Sequence, residues 1–125
     1  MLKMTSLSLA AAFVLGMAAP AVADGDAAAG EKVFRQCQAC HVVKKGVNRV
    51  GPSLYGVVGR PAGTADGFKY SKAMAESGIT WTEEQIDSYL ADPRGVVKGT
   101  RMAFAGLKDE QDRLDVIAYI KEASK

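Results

Sequence analysis

Five consecutive residues, Cys37-Gln38-Ala39-Cys40-His41, carry most of the reactive chemistry in this chain. Two thiols three positions apart can form a redox disulfide, supply half of a zinc site or carry a haem. A structural zinc needs four ligands, and the whole chain offers two Cys and one His. A thioredoxin-type dithiol needs strands around it, and no alternating or β-branched run supplies them. C-x-x-C-H is the attachment signal of c-type haem. Thiols about one helical turn apart can each add to a vinyl group, and the adjacent imidazole then sits under the iron as its proximal ligand. The motif therefore predicts one covalently attached haem c per chain, held by Cys37 and Cys40, with His41 on the iron.

The other face of that iron has two candidates. No second His exists, and of five Met, three (Met1, Met4 and Met17) lie in the N-terminal stretch. Met74 stands between Ala73 and Ala75 in a helical-looking segment, where a thioether is good core filler. Met102 lies in the irregular run Lys98-Gly99-Thr100-Arg101-Met102-Ala103-Phe104, whose glycine permits close backbone approach. Residue chemistry alone admits both.

A chain of 125 residues, 48% hydrophobic and 24% charged, is one globular domain rather than a disordered polymer or a membrane bundle. A single His excludes tri-His zinc and bis-His centres. Residues 1–23 read as a secretory signal peptide. Lys3 is the positive start, Leu7 to Ala19 the apolar run, and Ala21-Val22-Ala23 the small-x-small cleavage site. The run is too short to span a bilayer. The expected product is a periplasmic domain over 24–125 with no stable membrane anchor. A net charge of +2 decides nothing about nucleic acid by itself, but the basic residues are not interleaved with aromatics, which argues against nucleic-acid binding.

The elements that must hold the motif are all helices. Asp24 and Asp26 can cap a helix from Ala27 towards Cys40. Six glycines and two prolines from Val42 to Gly67 predict loop, a stretch long enough to be wrapping something. Ser71 to Ser77 reads as a short helix. Thr82 caps another, with Gln85 completing a capping box and Trp81 stapled to Ile86; it stops before Pro93. Arg94 to Gly106 reads as loop. The last helix starts near Asp109 and buries Leu114, Val116, Ile117 and Ile120. A core this thin gains from an apolar cofactor plate around which loops can pack.

The chain resembles class I c-type cytochromes, of the bacterial cytochrome c2 and mitochondrial type. The matching residues are Gly30, Phe34, Cys37 to His41, Gly51-Pro52-Ser53-Leu54-Tyr55-Gly56, Gly59-Arg60, Tyr70-Ser71, Trp81, Tyr89-Leu90, Pro93, Gly99-Thr100-Arg101-Met102, Phe104-Ala105-Gly106 and Ile117-Ala118-Tyr119-Ile120. Several separate motifs in the right order are more specific than the haem signature alone. The resemblance implies the small all-α monohaem fold, with short helices and long loops around one haem. It implies His41 and Met102 as axial ligands and the Pro52 carbonyl as partner of the His41 ring. It groups Arg60, Tyr70, Ser71 and Trp81 around the haem propionates, and puts Tyr89 and Thr100 near the methionine. It sets Gly30, Phe34 and Tyr119 where the first and last helices cross. Met74 departs from the mitochondrial pattern, where Asn is usual.

A His/Met-saturated iron suits one-electron transfer rather than binding oxygen or peroxide. The implied function is a soluble, monomeric carrier, not an enzyme, in a respiratory or photosynthetic chain. Lys44, Lys45, Arg49, Arg94, Lys98, Arg101 and Lys108 are expected to flank the haem edge. The acids concentrate elsewhere, at Asp24, Asp26, Glu83, Glu84, Asp109, Glu110, Asp112 and Asp115. That asymmetry predicts redox partners with acidic docking faces: a membrane cytochrome complex, a terminal oxidase or a reaction centre. Two other classes compete. A haem-based ligand sensor or peroxidase-like enzyme requires a labile Met102; a haem-free dithiol oxidoreductase requires reactive cysteines.

Overall fold

A computed structural model describes residues 10–14, 16 and 25–125. The expected signal peptide, apart from 10–14 and 16, and the Asp24 cap lie outside the described residues. The order is α1 (Ala27–Phe34), α2 (Lys72–Ala75), α3 (Glu83–Ala91), α4 (Pro93–Val96) and α5 (Glu110–Ala123). Among the described residues there is no strand, only an isolated bridge between Pro61 and Thr80. No helix among them is long and apolar enough to cross a membrane.

Each helix starts where a side-chain oxygen can satisfy an orphan N–H. Asp26 accepts from Ala28 and Ala29 N–H, Ser71 from Met74, Thr82 from Gln85 and Asp109 from Asp112. The Thr82 capping box forms one arm only. The Thr82 N–H donates instead to Thr80 O at 2.8 Å, because the chain turns sharply there. One expected helix is shorter than its sequence suggests. α1 ends at Phe34, and the thiol-bearing segment continues as tight turns, with Cys37 N–H on Phe34 O and Cys40 N–H on Cys37 O. One expected loop contains a helix. Asp92 accepts from Gly95 N–H and Pro93 opens α4, the usual place for a residue with no N–H to lose.

α1 and α5 cross closely. A β-carbon on Gly30 would clash with the Asp115 carbonyl and lie 2.8 Å from Tyr119 Cβ. Phe34 and Tyr119 pack with ring centroids 5.1 Å apart. Asp115 is 6% exposed, so it is not part of the acidic surface expected from sequence. Its carboxylate accepts the Asp26 N–H at 2.8 Å, bonding α5 to the positive end of α1. α3 joins α5 through Arg113 Nε to Asp87 at 2.8 Å and Lys121 to Glu83 at 3.0 Å. Val116, Ile117 and Ile120 are buried between them, each such side chain contributing roughly 1.5–3 kcal/mol. The long loop is tied to the start of α3 by Gly59 N–H on Trp81 O, Trp81 N–H on Arg60 O and Ala62 N–H on Ile79 O.

Candidate cofactor site

The helices and loops leave a cavity of about 570 Å³, well within the size of cofactor clefts. Its wall is largely apolar, with Leu54, Val57, Ile86, Leu90, Phe104, Val116 and Ile120 among the lining residues. Cys37, Cys40, His41, Pro52, Arg60, Tyr70, Ser71, Trp81, Tyr89, Thr100 and Met102 all line this one cavity. They come from positions spread across 66 residues of sequence numbering, 37 to 102, and meet only because the loops fold back on α3 and α5.

The turns after α1 bring Cys37, Cys40 and His41 to the wall together. His41 N–H bonds to Cys37 O at 2.9 Å, and Gly51 N–H to Cys40 O at 2.8 Å. No disulfide joins the two cysteines. Burial, with a smaller contribution from Cys40, pushes the Cys37 thiol up to about 11. A thiol so raised is a poor nucleophile at neutral pH, so Cys37 is not poised to open a disulfide exchange.

His41 is held through one ring nitrogen. Its Nδ1 lies 2.8 Å from the Pro52 carbonyl oxygen. A carbonyl only accepts, so Nδ1 carries the proton and Nε2 keeps the lone pair. Burial holds the imidazole below its ordinary pKa, against the opposing pull of the Pro52 bond. The neutral ring is the form that binds a metal.

Met102 lies in the loop between α4 and α5, and that loop is pinned. Thr100 Oγ1 accepts the Met102 N–H at 3.3 Å and stands 2.7 Å from Tyr89 Oη. Leu107 N–H bonds to Leu90 O at 2.7 Å. Gly106, at φ 115°, passes so close to Ala91 O that a β-carbon would stand 2.6 Å from it. Burial pushes the Tyr89 phenol above its usual range, with the Thr100 bond opposing. Met74 also reaches the cavity wall, from α2, and is 8% exposed.

The polar side chains are poised to donate. Arg60 gives its two terminal nitrogens to Tyr55 O and Ser53 O, while its buried Nε–H has no partner. Tyr70 Oη accepts the Ala65 N–H, and Ser71 Oγ accepts the Met74 N–H. Each hydroxyl therefore keeps its own proton to give. The Trp81 indole can only donate. Donors without acceptors in an apolar wall call for anionic groups, as the carboxylates of a haem provide. Two thiols, an imidazole lone pair and a thioether complete a donor set that fits haem c.

The charged residues lining the cavity are Arg60, Lys69 and Arg101, with no carboxylate among them. Lys69 is a residue that sequence reasoning missed. Of the seven basic residues expected at the edge, Arg101 alone lines the cavity. Lys108 is occupied elsewhere: its Nζ lies 3.2 Å from Ala91 O at the end of α3, where a cation meets the negative end of a helix. Gln36, Val50 and Phe68 also line the wall, and no sequence motif points to them.

The Cytochrome c family profile matches residues 27–124. Cytochrome c2 of Blastochloris viridis is 52% identical over 111 residues, covering 88% of this chain and 87% of the relative. Cytochrome c2 iso-2 of Magnetospirillum fulvum is 57% identical over 88 residues, covering 70% of this chain and 92% of the relative. The solved structure of cytochrome cH from Methylobacterium extorquens superposes with a TM-score of 0.75 at 50% identity, covering 78% of this chain and 99% of that one. The chain belongs to the cytochrome c family, electron carriers with one covalently attached haem c.

Proposed function

We propose that this chain is a periplasmic one-electron carrier in which His41 and Met102 would bind the haem iron and Cys37 and Cys40 would carry the thioether links. The observation that carries this reading is the 2.8 Å contact of His41 Nδ1 with Pro52 O, which leaves the Nε2 lone pair for a metal in a cavity that Met102 also lines. Bound there, the haem supplies a single reversible redox centre. Pro52 fixes the tautomer and angle of the imidazole, and strengthens it as a donor. Thr100 and Tyr89 brace the Met102 backbone, so the thioether is presented from a pinned loop rather than a mobile one. With His41 and Met102 both engaged on it, the haem group would offer oxygen and peroxide no open position and would supply one-electron transfer rather than catalysis. Arg60, Tyr70, Ser71 and Trp81 would hold the propionates with the protons they still have to give. Val57, Ile86, Val116 and the other apolar wall residues exclude water.

The partners proposed are acidic-faced redox proteins, such as a membrane cytochrome complex, a terminal oxidase or a reaction centre. Support comes from the purely cationic set Arg60, Lys69 and Arg101 at the cavity and from the exposure of Lys44, Lys45, Arg49, Arg94 and Lys98. A monomer suffices, because redox encounters are small and transient.

The test is an optical and mass measurement on natively matured protein with its Met102→Ala variant. Wild type should carry one haem of added mass, start at Asp24, lack titratable thiols and show the weak ferric methionine–iron charge-transfer band. Met102→Ala should lose that band and bind cyanide rapidly. A band unchanged in the variant would remove Met102 from the iron; two free thiols would remove the haem.

A further inference from the structure

We infer that Asn48 is a positioning residue for His41, acting through the peptide group between Pro52 and Ser53. The Pro52 carbonyl and the Ser53 N–H belong to one planar amide. At one end of it, Pro52 O accepts the His41 Nδ1–H at 2.8 Å. At the other, the Ser53 N–H donates to Asn48 Oδ1 at 2.9 Å. Asn48 is held in turn by its own amide nitrogen, which donates to Asp66 O at 2.8 Å. Three hydrogen bonds thus run in series from the Asp66 backbone to the imidazole.

Such a series is cooperative. An amide whose N–H is bonded presents a more negative carbonyl oxygen, so each link strengthens the next. Asn48 therefore sets both the tilt of the Pro52–Ser53 peptide and the strength with which Pro52 O holds the ring. The peptide has little room to find another partner. Ser53 is 5% exposed, and its hydroxyl is spent on Lys44 O at 2.6 Å.

The residue type follows from the geometry. Position 48 must accept from Ser53 and donate to Asp66 at once, and a carboxamide does both from one short arm. An aspartate accepts but cannot donate; an alanine does neither. Asp66 precedes Phe68, Lys69, Tyr70 and Ser71, all in the cavity wall. Asn48 thus links the orientation of the proposed iron ligand to the loop that forms another part of that wall.

This inference rests on the proposed ligation by His41, and the experiment separates the two. In ferric wild-type holoprotein, the His41 ring protons should carry large hyperfine shifts in the NMR spectrum. Their absence would remove His41 from the iron, and this inference with it. Given those shifts, Asn48→Ala should weaken the imidazole as a donor. The expected result is displaced His41 resonances and a ferric-to-ferrous ratio at fixed poise lowered at least threefold, a higher midpoint potential. Asn48→Asp keeps the acceptor for Ser53 while cutting the link to Asp66. Its ratio should stay at the wild-type value or move the opposite way. If both variants change only the unfolding temperature and leave potential and resonances alone, Asn48 is a strap between loops and the inference is overturned. It is equally overturned if Asn48→Asp raises the potential as far as Asn48→Ala. Should Asn48→Ala yield no holoprotein, Asn48→Ser, whose arm is too short for both partners, takes its place in the same comparison.

Discussion

Gly51 lies against the His41 imidazole so closely that a β-carbon there would stand 2.7 Å from each ring nitrogen, and nearer still to the carbon between them. Its backbone is not in the left-handed region, so the demand for glycine is purely steric. Gly51 is buried, and its N–H is bound to Cys40 O. The ring is thereby confined from one side by Gly51 and tethered by Pro52 on its Nδ1.

Gly51→Ala should push the imidazole off its 2.8 Å contact with Pro52. Overpacking of this kind costs about 1–3 kcal/mol. Denaturant unfolding of the holoprotein should show that loss, together with an altered ferric spectrum. A variant of wild-type stability and spectrum would mean that the ring has free space the structure does not give it.

Tyr89 gives a pH dependence with a definite sign. Burial raises its phenol above the usual value of 10.0, so the folded state favours the neutral form. The stabilisation is complete below pH 10 and is lost as pH rises through the raised value. Tyr89→Phe should therefore unfold with a shallower fall in stability above pH 10 than wild type. Near neutrality it should be less stable by about 0.5–1.5 kcal/mol, the net worth of the Thr100 hydrogen bond. Parallel curves for the two proteins at alkaline pH would refute this.

Asp115→Ala leaves the Asp26 N–H and the Gln111 side-chain amide without their shared acceptor. Loss of about 1–3 kcal/mol is expected from such unpaired groups. Asp115→Asn, which keeps an acceptor near the start of α1, should recover a large part of it. Thermal unfolding of the three proteins checks the order.

Lys98 and Arg101 are exposed, and Arg101 reaches the cavity wall. Replacing both by Glu should slow reduction of an acidic-faced redox partner about tenfold at low ionic strength. Added salt should shrink the difference as charges are screened. Stopped-flow rates that match wild type at every salt concentration would move docking to another face.

Much of the fold was written locally. A helix cap needs one oxygen within three residues of an open N–H, and Asp26, Thr82 and Asp109 start helices as their sequence context predicts. Asp92-Pro93 carries the same kind of signal for α4, at the head of a stretch whose composition otherwise predicts loop. The run from Ala27 to Cys40 misled for a local reason too. Its apolar spacing continues past Phe34, but the backbone tightens into three-residue hydrogen bonds that bring the thiols and His41 to the cavity.

The haem-binding signature and the short list of candidate iron ligands follow from residue type and spacing alone, because covalent attachment and ligation demand particular atoms a few positions apart. Tertiary structure decided the rest. That Asn48 bonds across to Asp66, that Asp115 is buried under α1 rather than on an acidic face, and that Lys108 closes the end of α3 all depend on partners 17 to 89 residues away. Sequence periodicity carries no record of such pairs. They exist only once the loops have closed around the cavity and water has been removed from between them, leaving each buried polar group to find its partner within the protein.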